Sequence, residues 1–173
     1  MPEPILITYA SRTGSTKGVA EAIAQSFSVK GIPVRVLPMN EVTNLAEYKA
    51  VIAGSAIQDK KWLPEAIQFM EKNKAILKSK PVAVFLVCIT LSMAQAEKYR
   101  PEVARWLDPV RAMVTPVSEA LFAGELYLDK VPSFKDRLLY RISILFGFFK
   151  QGDHRNWKAI QSWATSLESI LSV

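Results

Sequence analysis

The sequence predicts an α/β fold built on a five-stranded parallel sheet with helices on both faces. Short aliphatic runs recur along the chain, each is followed by apolar residues at helical spacing, and Gly or Pro stands at most joints. Strands that alternate with helices in this way pair in parallel through right-handed crossovers. At 173 residues the chain is expected to form one domain, residues 1–173. Half of its residues are hydrophobic, which excludes disorder as its main state.

Ile5-Leu6-Ile7-Thr8-Tyr9 reads as the first, buried strand. Thr16 to Lys30 reads as a helix, with Val19, Ile23 and Phe27 four residues apart and Gly31 and Pro33 as its stop. Val34 to Leu37 is the second strand, and Asn40 to Tyr48 carries mixed loop and helix signals. Ala50 to Gly54 is the third strand, apolar on both faces. Leu63 to Lys78 is helical with Pro64 in its first turn, and Val82 to Cys88 is the fourth strand. Tyr99 to Met113 is a helix with Pro101 at its start, which Pro109 should bend or shorten. Val117 to Gly124 is the fifth strand. An insertion of about residues 125–152 follows, which a minimal five-strand domain does not need. In it, Lys135 to Lys150 reads as a helix with Leu138, Ile142, Leu145 and Phe149 in one row and Tyr140, Ile144 and Phe148 in another. The last helix, Asn156 to Leu171, turns Ile160, Trp163, Ala164 and Leu167 inward.

Composition removes several function classes. The single Cys88 excludes an internal disulfide and a Cys-rich zinc site, and the single His154 gives little support to His-based metal or triad chemistry; no metal is expected. No apolar run approaches the roughly 18 residues that span a bilayer. The opening Met1-Pro2-Glu3-Pro4 lacks the basic-then-apolar layout of a secretion signal, so a cytoplasmic location is expected. The net charge is +6, and half of that excess falls between Glu125 and Lys158. No run of five like charges and no RNA-binding signature accompanies it, so nucleic acid is not an expected partner.

In a sheet of this kind, ligands bind beyond the carboxyl ends of the strands. The first such loop is Ser11-Arg12-Thr13-Gly14-Ser15-Thr16, with four hydroxyls and a glycine between a strand and a helix. Hydroxyls, loop N–H groups and a helix N-terminus together supply the donors that a phosphate monoester needs. The spacing is neither a nucleotide-hydrolysing P-loop nor a G-x-G-x-x-G fingerprint. From composition alone, a simple helix cap explains it as well.

Tyr9-Ala10-Ser11-Arg12-Thr13-Gly14-Ser15-Thr16 resembles the phosphate-loop signature of flavodoxins, and it stands where they carry it. The resemblance implies a flavodoxin-like sheet of strand order 2-1-3-4-5 and bound FMN. It puts the phosphate on Ser11, Arg12, Thr13, Gly14, Ser15 and Thr16. It puts the flavin ring against Ser55, Ala56 and Ile57 after the third strand and Ile89, Thr90, Leu91 and Ser92 after the fourth. Trp62 is either a ring contact or a packing anchor, and Thr90 and Ser92 also suit a turn and a helix cap. Cys88, at the end of an apolar strand, reads as a buried structural thiol.

The basic, aromatic-rich insertion ahead of the last helix resembles that of the menaquinone-dependent protoporphyrinogen IX dehydrogenase family, as do Gly54-Ser55-Ala56-Ile57, Ala123-Gly124, Asp136-Arg137, Gly152-Asp153 and Asn156-Trp157. That resemblance implies an FMN-dependent oxidoreductase passing electrons from a porphyrinogen-type substrate to a quinone or respiratory chain at the inner face of the cell membrane. No catalytic residue is singled out. Gln58-Asp59 stands where the family commonly has a basic residue and Glu125-Leu126 where it often has further Arg and Tyr residues, and Lys130, Arg137 and Arg141 are the candidates to replace the basic groups toward substrate carboxylates. The alternative is a flavodoxin-type electron carrier without its own substrate. Leu138 to Phe149 is open to three uses: packing on the core, a homodimer contact, or peripheral membrane contact.

Overall fold

The structure, a computed structural model, describes residues 3–171. Five long strands, β1 (Ile5–Ala10), β2 (Val34–Pro38), β3 (Ala50–Gln58), β5 (Val82–Cys88) and β6 (Ser118–Ala123), form a parallel sheet in the order β2-β1-β3-β5-β6. Counting only these five, the order is 2-1-3-4-5. A short β4 (Lys61–Trp62) folds back antiparallel on the end of β3. Side chains alternate across the strands, which divides the core in two. Ile5, Ile7, Ile52 and Phe85 face α1 (Ser15–Ser28) and α7 (Trp157–Ile170). Leu6, Val51, Val84 and Leu86 face α2 (Pro64–Lys72), α3 (Lys74–Leu77), α4 (Ala96–Arg105) and α5 (Asp108–Arg111).

The boundaries differ from expectation where local chemistry interrupts a periodic pattern. The stretch Leu63–Lys78 is two helices, because Asn73 takes a non-helical conformation and its amide donates to the Phe69 carbonyl at 2.8 Å. The expected helix Tyr99–Met113 starts earlier, at Ala96, and breaks at Trp106–Leu107 ahead of Pro109, which opens α5. Pro101 therefore lies inside α4, where its missing N–H removes one helical bond. Asn40–Tyr48 holds no α-helix, only a 3-10 turn over Met39–Glu41.

The insertion stands on a two-stranded stem. β7 (Glu125–Leu126) pairs antiparallel with β8 (Gly152–Asp153), bringing its two ends together beside the sheet. Between them runs α6 (Phe134–Leu145), capped by Ser133, whose hydroxyl accepts the Asp136 N–H at 3.2 Å. The helix stops short of the expected Lys150. Gly147 takes φ +78°, and the N–H groups of Gly147 and Phe148 return to the carbonyls of Ile144 and Ser143. That paired return is a Schellman stop.

Gly54 sits at a close approach in the sheet. A Cβ there would lie 2.0 Å from the Phe85 ring, which itself packs against Phe122 and Trp163 at centroid distances of 6.2 and 6.0 Å. Gly54→Ala is expected to destabilise the fold by about 2–3 kcal/mol through overpacking. Urea unfolding should show a lower midpoint, and Gly54→Ala combined with Phe85→Leu should regain part of the loss.

Candidate functional site

A cavity of about 1010 Å³ opens beyond the carboxyl ends of β1, β3 and β5. Its floor is the loop between β1 and α1, with Ser11, Arg12, Thr13, Ser15 and Thr16 in the lining. Gly14 makes the bend: its φ of +92° is left-handed, and its N–H donates to Ser11 Oγ at 3.1 Å. The N–H groups that follow open α1 and have no partners within the helix. Thr16 is fully buried, yet its Oγ1 has no hydrogen-bond partner. A buried hydroxyl at the wall of a cavity, beside free helix N–H groups, fits a phosphate oxygen and supports the phosphate end of FMN here.

Ser15 ties this floor to the insertion. Its Oγ accepts the Glu125 N–H at 3.1 Å, and its carbonyl accepts from Arg155 Nη1 at 3.3 Å. The Glu125 carboxylate lies between Lys130 Nζ at 3.0 Å and Arg155 Nη2 at 2.9 Å. Arg155 also holds Asp153, and this pairing keeps the Asp153 carboxyl below the usual range.

Ala56 and Ile57 line one side of the cavity, and Ile89 and Thr90 line the other. Three expected ring residues are placed elsewhere. Ser55 is fully buried, its hydroxyl donating to the Ala56 carbonyl at 2.8 Å and accepting the Leu63 N–H at 3.1 Å, so it braces the β3–α2 connection. Leu91 turns into the core, toward a separate groove of about 660 Å³ along β6. Ser92 lies outside the cavity lining and donates to the Ile89 carbonyl at 2.7 Å, closing the turn. Trp62 is a packing anchor, only 2% exposed. Cys88 is buried, as expected, at the inner wall.

Four aromatic contributors were not singled out for the site by sequence: Tyr99, Trp106, Tyr127 and Tyr140. Tyr140 reaches the cavity from α6 and meets Phe149 edge-on, with centroids 6.0 Å apart. Burial, with the Asp136 and Asp59 carboxylates nearby, raises its phenol above the ordinary value. The hydroxyl therefore stays protonated and can donate. The cations expected at the insertion are largely committed. Lys130 is paired to Glu125, Arg137 donates to the Val131 carbonyl at 2.8 and 3.3 Å, and Arg141 lies outside the cavity lining. Lys60 pairs with Glu102 at 2.8 Å. Among the described residues, Lys135 lines the cavity without an ion-pair partner.

The flavodoxin domain family matches residues 6–143. The chain belongs to the flavodoxin domain family. Solved structures agree on the fold. An archaeal flavodoxin superposes with a TM-score of 0.58 at 20% identity, covering 98% of this chain and 99% of that one. The flavodoxin of Streptococcus pneumoniae TIGR4 gives 0.58 at 16% identity, covering 95% and 97%. Oxidised flavodoxin 2 of Bacillus cereus gives 0.52 at 26% identity, covering 84% and 99%. In this flavodoxin domain the cavity extends beyond the loops that end the strands, up to α6 of the insertion.

The wall also holds a titratable group that takes no part in ionic chemistry near neutral pH. Burial pushes the Cys88 thiol from an ordinary 9.0 up to about 11. The folded protein keeps the proton over a window in which the unfolded chain loses it, so stability falls as pH rises through that window. Urea midpoints measured at about pH 8 and about pH 11 should therefore drop more steeply for the wild type than for Cys88→Ala.

Proposed function

We propose that this chain is an FMN-dependent oxidoreductase that takes electrons from a flat, largely apolar substrate of porphyrinogen type and delivers them to a quinone at a membrane face. The observation that carries this reading is the continuity of the cavity: a hydroxyl-lined end beside Gly14 and an aromatic-lined end under α6 share one space of about 1010 Å³. That is the upper end of the roughly 300–1,000 Å³ typical for one ligand, which suits a cofactor with a second flat molecule beside it.

Bound FMN supplies the electron transfer. The chain's own residues hold and shield it. Thr13, Thr16 and the first N–H groups of α1 receive the phosphate. Ile57 and Ile89 offer aliphatic contact to the ring, leaving a face open where a carrier would place a tyrosine. Tyr140 and the half-exposed Leu139 line the far side, with the Tyr140 hydroxyl available as a donor. Lys135 is the cation placed to meet a carboxylate on the substrate.

The carrier reading draws support from flavodoxins that match over nearly the whole chain. The net charge of +6 and the placement of α6 over the cavity favour a substrate site, since a one-electron carrier needs no room beyond that for its cofactor. The purified protein is expected to be yellow. Under anaerobic conditions protoporphyrinogen should bleach the flavin absorbance, and a menaquinone analogue should restore it. Exchange with a flavodoxin reductase but none with porphyrinogen would select the carrier, and failure to take up FMN would remove both. Thr16→Val should weaken FMN binding by about tenfold or more, with no loss of apoprotein stability, because it removes a buried hydroxyl that lacks a partner.

The outer side of the insertion gives the membrane part of the proposal. Leu145, Phe134 and Phe146 are 82%, 79% and 71% exposed, and the segment 134–150 carries a net charge of +3. Apolar side chains amid basic ones suit an anionic lipid surface, while a second copy would set like charges together. Among the described residues no helix is long and apolar enough to cross a membrane, so the proposed contact lies along the surface. Leu145→Glu should lower co-sedimentation with anionic liposomes several-fold and leave FMN content intact; wild-type sedimentation by this variant would remove the membrane contact.

A further inference from the structure

Arg12 is the arginine in the cavity lining, and it belongs to the loop that receives the phosphate. Its Nη1 and Nη2 donate to Glu65 Oε1 and Oε2, the second at 3.0 Å, in a two-pronged pair across the mouth of the loop. Arg12 hydrogen bonding holds the Glu65 carboxyl below its usual range, so the pair is charged at neutral pH.

We propose that Arg12 is a transferable phosphate ligand: its guanidinium exchanges the Glu65 carboxylate for the phosphate dianion of FMN. This rests on the FMN reading above and deepens it.

Three comparisons decide the direction of exchange. The side chains of the pair are 44% and 36% exposed, and an ion pair so placed is screened by water and salt and contributes little. A phosphate dianion carries twice the charge of a carboxylate and presents oxygens at the spacing of the guanidinium fork. Glu65 stands in the first turn of α2, so the positive end of that helix still balances its charge after Arg12 leaves. The other lining cations belong to other elements, and Lys135, unpaired among the described residues, stands on α6 rather than on this loop. Lys130 is anchored to the buried Glu125, and Lys60 is held by Glu102. Arg12 reaches the phosphate by rotating about its own loop, with no movement of the insertion required. Glu65 thereby sets a threshold: it competes with weakly charged anions and yields to a dianion.

The test is a set of titrations of the apoprotein with FMN and with riboflavin, which lacks the phosphate, read by quenching of flavin fluorescence. Arg12→Gln should weaken FMN binding by about tenfold or more and leave riboflavin binding unchanged. Glu65→Gln should tighten FMN binding about three- to fivefold, again without effect on riboflavin. Arg12→Lys should recover part of the loss but not the two-pronged contact. If both Gln variants weaken FMN alike, the pair is a static brace and the proposal is overturned. It is also overturned if Arg12→Gln has no effect, or if riboflavin affinity moves with FMN affinity. Loss of FMN binding in Thr16→Val with none in Arg12→Gln would overturn this exchange and leave the FMN site standing; no FMN binding by the wild type would overturn both.

Discussion

The site depends on one residue that belongs to two parts of the molecule. Ser15 opens α1, and its hydroxyl and carbonyl hold the two ends of the insertion through Glu125 and Arg155. The ion network behind it is sheltered, with the Arg155 and Glu125 side chains 11% and 7% exposed. Sheltered charges are costly unless fully paired, and here each carboxylate and guanidinium has its partner. Arg155 also stacks on Trp157, 4.4 Å from the ring centroid, and fills the space over Gly18, where a Cβ would stand 2.5 Å from its Nη1. The roof of the cavity is thus bolted to its floor at the residue next to the Gly14 bend. The position of α6 and the shape of the loop are set together.

The five strands, both helical layers and the glycine bend after β1 were legible in the sequence because each is written locally, while the strand order 2-1-3-4-5 came from the resemblance to flavodoxins. Ile5 to Tyr9 is apolar on both faces, Val19, Ile23 and Phe27 share a helical stripe, and Gly14 among hydroxyls marks a left-handed bend. Helix ends were less legible where one residue outweighs a periodic pattern, as at Asn73, or where a glycine stop sits inside an apolar run, as at Gly147. The residues expected to meet a flavin ring divided according to side-chain direction. Ala56, Ile57, Ile89 and Thr90 face the cavity, whereas Ser55 and Leu91 face inward; one position along a strand or one step around a 3-10 turn reverses the side, and spacing alone does not register it. Tyr140 was visible as part of an apolar helix, but its place in the cavity comes from the β7–β8 stem, a pairing of two dipeptides too short to leave a periodic signal.

The charges around the cavity largely cancel within the protein. Lys60 meets Glu102, Lys130 and Arg155 meet Glu125, and Arg12 meets Glu65. A site neutralised in this way discriminates by shape and by a few hydrogen bonds more than by a long-range field. The surplus positive charge lies instead on the outside of the insertion, among exposed apolar side chains. Inner chamber and outer face therefore use the same helix in different ways: Leu139, Tyr140 and Ser143 face the cavity, and Leu138, Leu145 and Phe146 face solvent.

Gly54 and Phe85 share one volume across adjacent strands, since the ring occupies the space a Cβ would need. Neither position is free to vary alone. Among descendants and relatives of this chain, a larger residue at 54 should coincide with a smaller one at 85, so the two sites evolve as a covarying couple. Because β3 also leads into the Ala56–Ile57 wall of the cavity, that couple sets how far a drifting sequence can reshape this wall without first loosening the sheet.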